Sequence, residues 1–163
     1  MHYVIGVGSN LGDAPASVRR AMREVEQGLQ ASAVRRSSLY RTAPVGGPEQ
    51  PDFVNAVLAL ESDLTPDAVL EALHHIEQEA GRVRDVRWGP RTLDLDVVAA
   101  GDLVSEDPVL TLPHPRAHER AFVLIPWHEI EPEASLPGIG SIASVITAGF
   151  DDQDIEVLVE EGA

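Results

Sequence analysis

The order in which hydrophobic periodicity changes along the chain is its strongest constraint. Runs of strand character at 2–7, 33–42, 53–61 and 93–100 alternate with two stretches of helical spacing. The first helix is expected over 14–30, with Val18, Met22, Val25 and Leu29 on one stripe. The second has clear punctuation: Thr65 as N-cap, Pro66 at the first helical position and Gly81 just past the end, with Val69, Leu70, Leu73 and Ile76 facing inward. A further short strand is expected near 109–112, and a short helix within 116–130. The order β-α-β-β-α-β predicts an α+β sandwich of the ferredoxin-like kind, a mainly antiparallel sheet with helices packed on it. A chain of 163 residues leaves room for one domain, 1–163. The acid-rich stretch from Asp151 onward is expected to be a loose tail.

Composition removes several function classes. The formal net charge of −15 argues against a general nucleic-acid binder, whose binding faces are basic. All twelve basic residues are arginine, so a lysine-dependent phosphate loop and Schiff-base chemistry are both excluded. There is no cysteine, hence no disulfide, no thiolate catalysis and no thiolate-bound zinc; a reducing cytoplasm is the expected location. The opening residues show no basic segment before an apolar block, and no run approaches the ~20 apolar residues of a membrane span. Phosphate handling, if present, would fall to arginine, backbone amides and metal.

Against this acidic background the charge reverses locally. Arg82, Arg84, Arg87 and Arg91 stand against a single acid, Asp85. A guanidinium cluster of this density calls for an anionic ligand, and the planar fork suits phosphate oxygens; the competing reading is a solvated loop whose arginines pair with surface acids. The adjoining strand favours the ligand. Asp94 and Asp96 are two apart on it, so both leave one face with Cα atoms about 6.6 Å apart. Leu93, Leu95 and Val97 take the other face, while Val98 and Ala100 are expected to continue the aspartate face and make it largely apolar. Two neighbouring carboxylates on such a face ask for a cation, and carboxylates completed by substrate phosphates are how magnesium is commonly held. Arginines beside a carboxylate pair point to phosphoryl transfer. The loop 43–51, with three prolines and two glycines, has the length and composition of a lid.

The run Arg87-Trp88-Gly89-Pro90-Arg91-Thr92-Leu93-Asp94-Leu95-Asp96-Val97-Val98 resembles the signature of the 6-hydroxymethyl-7,8-dihydropterin pyrophosphokinases. The likeness extends to Ile5-Gly6-Val7-Gly8-Ser9-Asn10-Leu11-Gly12, Ser38-Leu39-Tyr40-Arg41-Thr42 and Gln50-Pro51-Asp52-Phe53-Val54-Asn55-Ala56. It continues through Ile76-Glu77, Gly81-Arg82-Val83-Arg84 and Pro113-His114-Pro115-Arg116 to Leu124, and weakens beyond about 132. The resemblance implies a transfer of pyrophosphate from ATP to the pterin hydroxymethyl group in folate biosynthesis, with AMP leaving. It implies that Asp94 and Asp96 bind two magnesium ions, and that Arg82 and Arg91 serve the chemical step. ATP would be met by Glu77, Arg82, Arg84, Arg87, Trp88, Arg91 and His114. The pterin would lie between Phe53 and Phe122, read by Asn55 and by the segment Thr42, Ala43, Pro44 and Val45, with Trp88, Asp94 and Arg120 nearby. A tyrosine is common in the family where Phe53 stands, and Pro115 offers no aromatic contact to adenosine.

Some of these residues carry reasons of their own. His114 sits between two prolines, which bars regular structure and suits a fixed loop ligand. Asn55 in an apolar strand needs a partner, from a ligand or a loop backbone. Phe53 and Phe122, as lone aromatics, would more commonly serve a core than a ligand, and His74, His75, His118 and His128 read as surface or packing residues. Two other functions fit the bare charge pattern: a different metal-dependent nucleotidyl or phosphoryl transferase, and a non-catalytic module binding a small anionic effector. The partners expected are the small molecules ATP and pterin, with neither nucleic acid nor membrane, and the chain is expected to be a monomer.

Overall fold

The computed structural model describes residues 1–10, 13–42, 52–83 (81–83 by backbone alone), 93–149 and 155–158. The sheet is built from β1 (His2–Ser9), β2 (Ser32–Arg36), β3 (Tyr40–Thr42), β4 (Phe53–Glu61), β5 (Asp94–Ala100) and, from the C-terminal stretch, β8 (Ile155–Val157). Its order is β5-β1-β4-β3-β8, with β2 also lying against β4, and every pairing is antiparallel. Helices α1 (Ala14–Gly28) and α2 (Pro66–Val83) cover one face; α3 (Ala121–Ile130) and α4 (Ile142–Ala148) cover part of the other. A two-residue ribbon, β6 (Ser135–Leu136) with β7 (Gly140–Ser141), joins α3 to α4. This is the α+β sandwich expected from the sequence.

Strand alternation decides which side chains meet which helices. Tyr3, Ile5 and Val7 of β1 point to α1 and α2, where they pack with Val18, Met22, Val25, Leu29, Val69, Leu73 and Ile76. Val4 points the other way, into a second cluster with Val57, Val98, Leu124, Trp127 and Ile142. Leu58 and Leu124 are fully buried, so truncating either to alanine removes about 2–5 kcal/mol of stability. Thr65 caps α2 as expected, its Oγ1 accepting the Ala68 N–H (3.3 Å), and Asp13 caps α1 by accepting the Ala16 N–H (3.2 Å).

Several boundaries differ. The strand expected over 33–42 is two strands on successive stretches of β4. Between them Ser37 replaces a ladder step with its side chain, its Oγ accepting the Val57 N–H (2.8 Å) while its own N–H donates to Val57 O (3.0 Å). Gly81 does not end α2, which runs on to Val83; an interior glycine costs a helix only about 1 kcal/mol. The 109–112 segment makes a single bridge, Ser105 to Leu112, instead of a strand. Within 116–130, a 3-10 turn over Ala117–Glu119 precedes α3. From the acid-rich C-terminal stretch, β8 pairs with the outer edge of β3, and Arg41 meets Glu156 at 3.6 Å. No helix among the described residues is long and apolar enough to cross a membrane.

Candidate active site

The face of the sheet under α3 changes character along the strands. At the end where β1 begins it is apolar: Val4, Val57, Val98 and Ala99 sit beneath Leu124 and Trp127. Towards the other end the register brings polar groups together. Gly6 stands between Asp96 on β5 and Val57 on β4, and Gly8 stands between Asp94 and Asn55. Asp94 and Asp96 are both half-buried on this face, while Leu93, Leu95 and Val97 are buried on the opposite side. The two glycines leave the central strand bare between the carboxylate pair and Asn55. With strands about 4.8 Å apart, that shallow floor is about 9–10 Å wide. The expected continuation through Ala100 fails, because Val98 is an extra residue in β5: Val4 pairs with Ala99 and Ile5 with Val97. The bulge turns Ala100 into the α1–α2 core, while Val98 and Ala99 both face α3.

The edges of this floor are set by the same register. Thr42 lies opposite Phe53, two residues from Asn55 on the same face. Asn55 is buried, and among the described residues its amide nitrogen donates to a side chain, Thr42 Oγ1, at 2.8 Å. Phe53 is half-buried at the end of β4. Above the sheet, α3 has its C-terminal end tied to the start of β1, where His2 Nε2 lies 2.9 Å from Glu131 Oε2. Its N-terminal end, with half-buried Phe122, is therefore directed toward the polar half. The Arg120 guanidinium carbon lies 5.5 Å from the Phe122 ring centroid, within cation–π range. Glu129, on the outer side of α3, accepts from the Ser38 N–H (2.9 Å), the Ser38 hydroxyl (2.6 Å) and the Tyr40 hydroxyl (2.8 Å). That clasp fixes α3 to the strand carrying Thr42.

Charges are concentrated at the β5 edge. Glu77 reaches from α2 to accept the Leu95 N–H at 3.0 Å, between the two aspartates in sequence. Burial pushes its carboxyl above the usual range; the Leu95 N–H opposes that shift, and Asp94 and Asp96 add to it. His114 is held by its own N–H donating to Val98 O (2.9 Å), while its ring Nδ1 faces the Arg116 N–H at 3.2 Å. Burial lowers its pKa, Asp96 raises it, and Arg120 and Arg116 lower it, which makes these four side chains one electrostatic neighbourhood. With Nδ1 as acceptor, the neutral ring keeps its proton on Nε2 and is a donor there.

The residues anticipated from sequence divide in two. Thr42, Phe53, Asn55, Glu77, Asp94, Asp96, His114, Arg120 and Phe122 are placed around this floor and its β5 edge. Ala43, Pro44, Val45, Arg84, Arg87, Trp88 and Arg91 lie outside the described residues, as do the whole of the expected lid 43–51 and the side chain of Arg82. Sequence reasoning passed over Gly6, Gly8 and Glu129. The glycines had a signal, since two of them alternating inside a strand mark a place where something approaches the backbone closely. Glu129 had none, being one of 27 acids.

The carboxylate pair suits a hard cation. Among the described residues no group of three or more His, Cys, Asp or Glu side chains could hold a metal unaided. Two aspartates on one face match the habit of magnesium, which takes carboxylate oxygens and completes its shell with phosphate and water oxygens.

The model of the 7,8-dihydro-6-hydroxymethylpterin-pyrophosphokinase family matches residues 4–132. The chain belongs to that family. It is 38% identical over 153 residues to a Haemophilus influenzae 2-amino-4-hydroxy-6-hydroxymethyldihydropteridine pyrophosphokinase, covering 94% of this chain and 96% of that protein. The Pseudomonas aeruginosa protein of the same name is 43% identical over 133 residues, 82% of each chain. In three dimensions the fold resembles a triple mutant of the Plasmodium falciparum HPPK-DHPS crystallised with pteroate, at TM-score 0.70 and 12% identity. The match covers 90% of this chain and 42% of that longer one. At that identity the likeness speaks for the fold, and the family assignment rests on the sequence matches. The match to residue 132 takes in β1 through α3, so every described candidate residue falls inside the family segment.

Proposed function

We propose that the chain transfers the pyrophosphoryl group of ATP to the hydroxymethyl group of 6-hydroxymethyl-7,8-dihydropterin, on the glycine-floored face between Asp94–Asp96 and Asn55. The observation that carries this reading is the register: a carboxylate pair and a buried amide stand on either side of β1, where the intervening residues are Gly6 and Gly8. A bicyclic pterin is about as long as that gap. Its polar edge would meet Asn55 and the Thr42 segment, and its hydroxymethyl end would reach the aspartates. Phe53 and Phe122 supply ring faces, and Arg120 lies near the reacting end. Family membership supports the substrates, ATP among them.

The reaction forms a bond between the hydroxymethyl oxygen and the β-phosphorus. The bond from that phosphorus to the oxygen bridging the α-phosphorus breaks, and AMP leaves with the bridging oxygen while the hydroxyl proton is lost. Magnesium, two ions in this reading, would be held by Asp94 and Asp96 and would supply neutralisation of the phosphate charge. Asp94 and Asp96 hold the metal side of the triphosphate. His114, with its proton on Nε2, donates toward phosphate oxygen beside Asp96. Glu77 keeps the β5 edge in place through Leu95, and its charge adds to the field at the metal seat. Arg82 and Arg91 would stabilise charge on the moving group, and Arg84, Arg87 and Trp88 would hold ATP. No protein nucleophile takes part, so the rate comes from positioning and charge neutralisation. The enzyme is read as a cytoplasmic monomer.

The test is an assay with synthetic dihydropterin, ATP and magnesium that separates the nucleotide products. Pterin-dependent AMP is the expected result. Release of ADP, or AMP formed equally without pterin, would overturn the reading and favour another metal-dependent transferase.

A further inference from the structure

β1 carries two glycines on its α3-side face, and their surroundings differ. A methyl on Gly6 would lie 3.5 Å from Val98 Cγ2, an ordinary contact. A methyl on Gly8 would lie 2.7 Å from Asn55 Oδ1, closer than real side chains come. The next nearest atoms are Asn55 Cγ at 3.8 Å and the Val54 carbonyl oxygen at 3.9 Å, so the crowding falls on the Asn55 amide and not on Asp94. That amide is constrained at its other end too, where its nitrogen donates to Thr42 Oγ1 at 2.8 Å. Asn55 is 6% exposed and faces Gly8 directly across the strand pair. Thr42 therefore holds the nitrogen, and the missing side chain at position 8 leaves a seat for the oxygen over β1. The amide plane can take this orientation only because residue 8 has no Cβ.

We propose that Gly8 is a positioning residue for pterin recognition, acting through Asn55 by seating the amide oxygen on the strand floor. The proposal rests on reading that floor as the pterin site. A methyl at position 8 would swing the amide, break its bond to Thr42 and misplace the acceptor offered to the ligand. The carboxylate pair and His114 would stay where they are. The effect should therefore appear in pterin binding and leave ATP binding and the chemical step nearly unchanged.

A double-mutant cycle on the full chain tests this. Binding of fluorescent 6-hydroxymethylpterin, with magnesium and a nonhydrolysable ATP analogue present, is measured for wild type, Gly8→Ala, Asn55→Ala and the double variant. Each single substitution should weaken binding about tenfold or more, since a buried polar contact is lost. The double variant should bind within about twofold of Asn55→Ala alone, because no amide remains to be displaced. Steady-state kinetics should show a raised pterin KM, with ATP KM and kcat within about twofold of wild type. If Gly8→Ala proves too unstable to assay, the comparison of the double variant with Asn55→Ala still decides, because removing the amide opens the space the methyl needs. A double variant much weaker than Asn55→Ala, a Gly8→Ala protein that binds like wild type, or a fall in kcat at saturating pterin would each overturn the proposal. If wild type itself bound no pterin, the underlying assignment of the site would fall and the proposal with it; a normal wild type with an additive cycle removes the proposal alone.

Discussion

Removing the Glu129 carboxylate should loosen the enzyme and its pterin side together, and three hydrogen bonds set the size of the effect. Glu129 Oε1 accepts from the Ser38 N–H at 2.9 Å and from the Tyr40 hydroxyl at 2.8 Å; Oε2 accepts from the Ser38 hydroxyl at 2.6 Å. Bonds to an ionised acceptor reach about 1.5–3 kcal/mol when shielded, but these are exposed, so about 0.5–1 kcal/mol each is the fair figure. Glu129→Ala should then lower the unfolding free energy by about 2 kcal/mol, and Tyr40→Phe by about 0.5–1 kcal/mol. In urea titrations both variants should shift the midpoint with the slope unchanged, as expected when native contacts are lost without a change in surface exposed on unfolding. The cycle is the sharper reading: once Glu129 is alanine, Tyr40→Phe should cost almost nothing. Because the clasp joins α3, which carries Phe122, to β3, which carries Thr42, the same variant should raise the pterin KM more than the ATP KM. An unfolding free energy within about 0.5 kcal/mol of wild type, or a Tyr40→Phe cost that persists in the Glu129→Ala background, would refute this account.

Asp96→Asn should cut turnover by about a hundredfold or more, since it would halve the proposed metal seat, yet leave the melting temperature unchanged or higher; near-normal turnover would remove Asp96 from that role. Glu77→Gln keeps an oxygen for the Leu95 N–H but drops a charge beside Asp94 and Asp96. A carboxyl with a raised folded-state pKa contributes stability that is present below its ordinary value of 4.5 and is lost as pH rises through the folded value. The glutamine variant should accordingly be more stable than wild type at neutral pH, by about 0.5–1 kcal/mol after solvent screening, with the gain shrinking in urea titrations toward pH 4. Tyr3 is raised by burial and Tyr40 by burial and then by Glu129, and the chain has only these two tyrosines. Their contribution to stability is intact below pH 10 and lost above it, so absorbance at 295 nm should show no tyrosinate step near pH 10 in the native protein. Glu129→Ala should let one tyrosine titrate earlier; a full two-tyrosine step near pH 10 in the folded wild type would contradict both environments.

What could be read from sequence was what repeats or punctuates locally. The alternation Leu93-Asp94-Leu95-Asp96-Val97 fixes two carboxylates on one face whatever the partner strand is, and they are found there. Thr65 and Pro66 open α2 because capping depends on neighbours three residues away. Long-range pairing was hidden. Nothing near Gly8 announces that Asn55 will stand opposite it, 47 positions on, and nothing near Glu129 announces Ser38 and Tyr40. Ala100 was misassigned for the same reason, since the bulge at Val98 is a property of the β1–β5 pair and not of either strand alone. Ser37 broke an expected strand because a side chain did the work of the backbone, a substitution that periodicity does not register.

The division of one sheet face into an apolar half and a polar half has an energetic consequence. Under α3 the face is closed by Val4, Val57, Val98 and Trp127, and this half contributes to stability in the ordinary way. Beyond Gly6 the same strands turn to half-buried carboxylates, a buried amide and bare backbone, none of which gains from burial alone. Glu77, Asp94 and Asp96 repel one another where a folded protein without ligands would be better served by apolar side chains. Such an arrangement is tolerable because the α1–α2 face supplies a complete core behind it, with Ile5, Leu58, Leu73 and Leu95 all buried. The repulsion among these carboxylates would be relieved by bound magnesium and polyphosphate in the proposed function, so substrate binding and conformational stability would draw on the same groups.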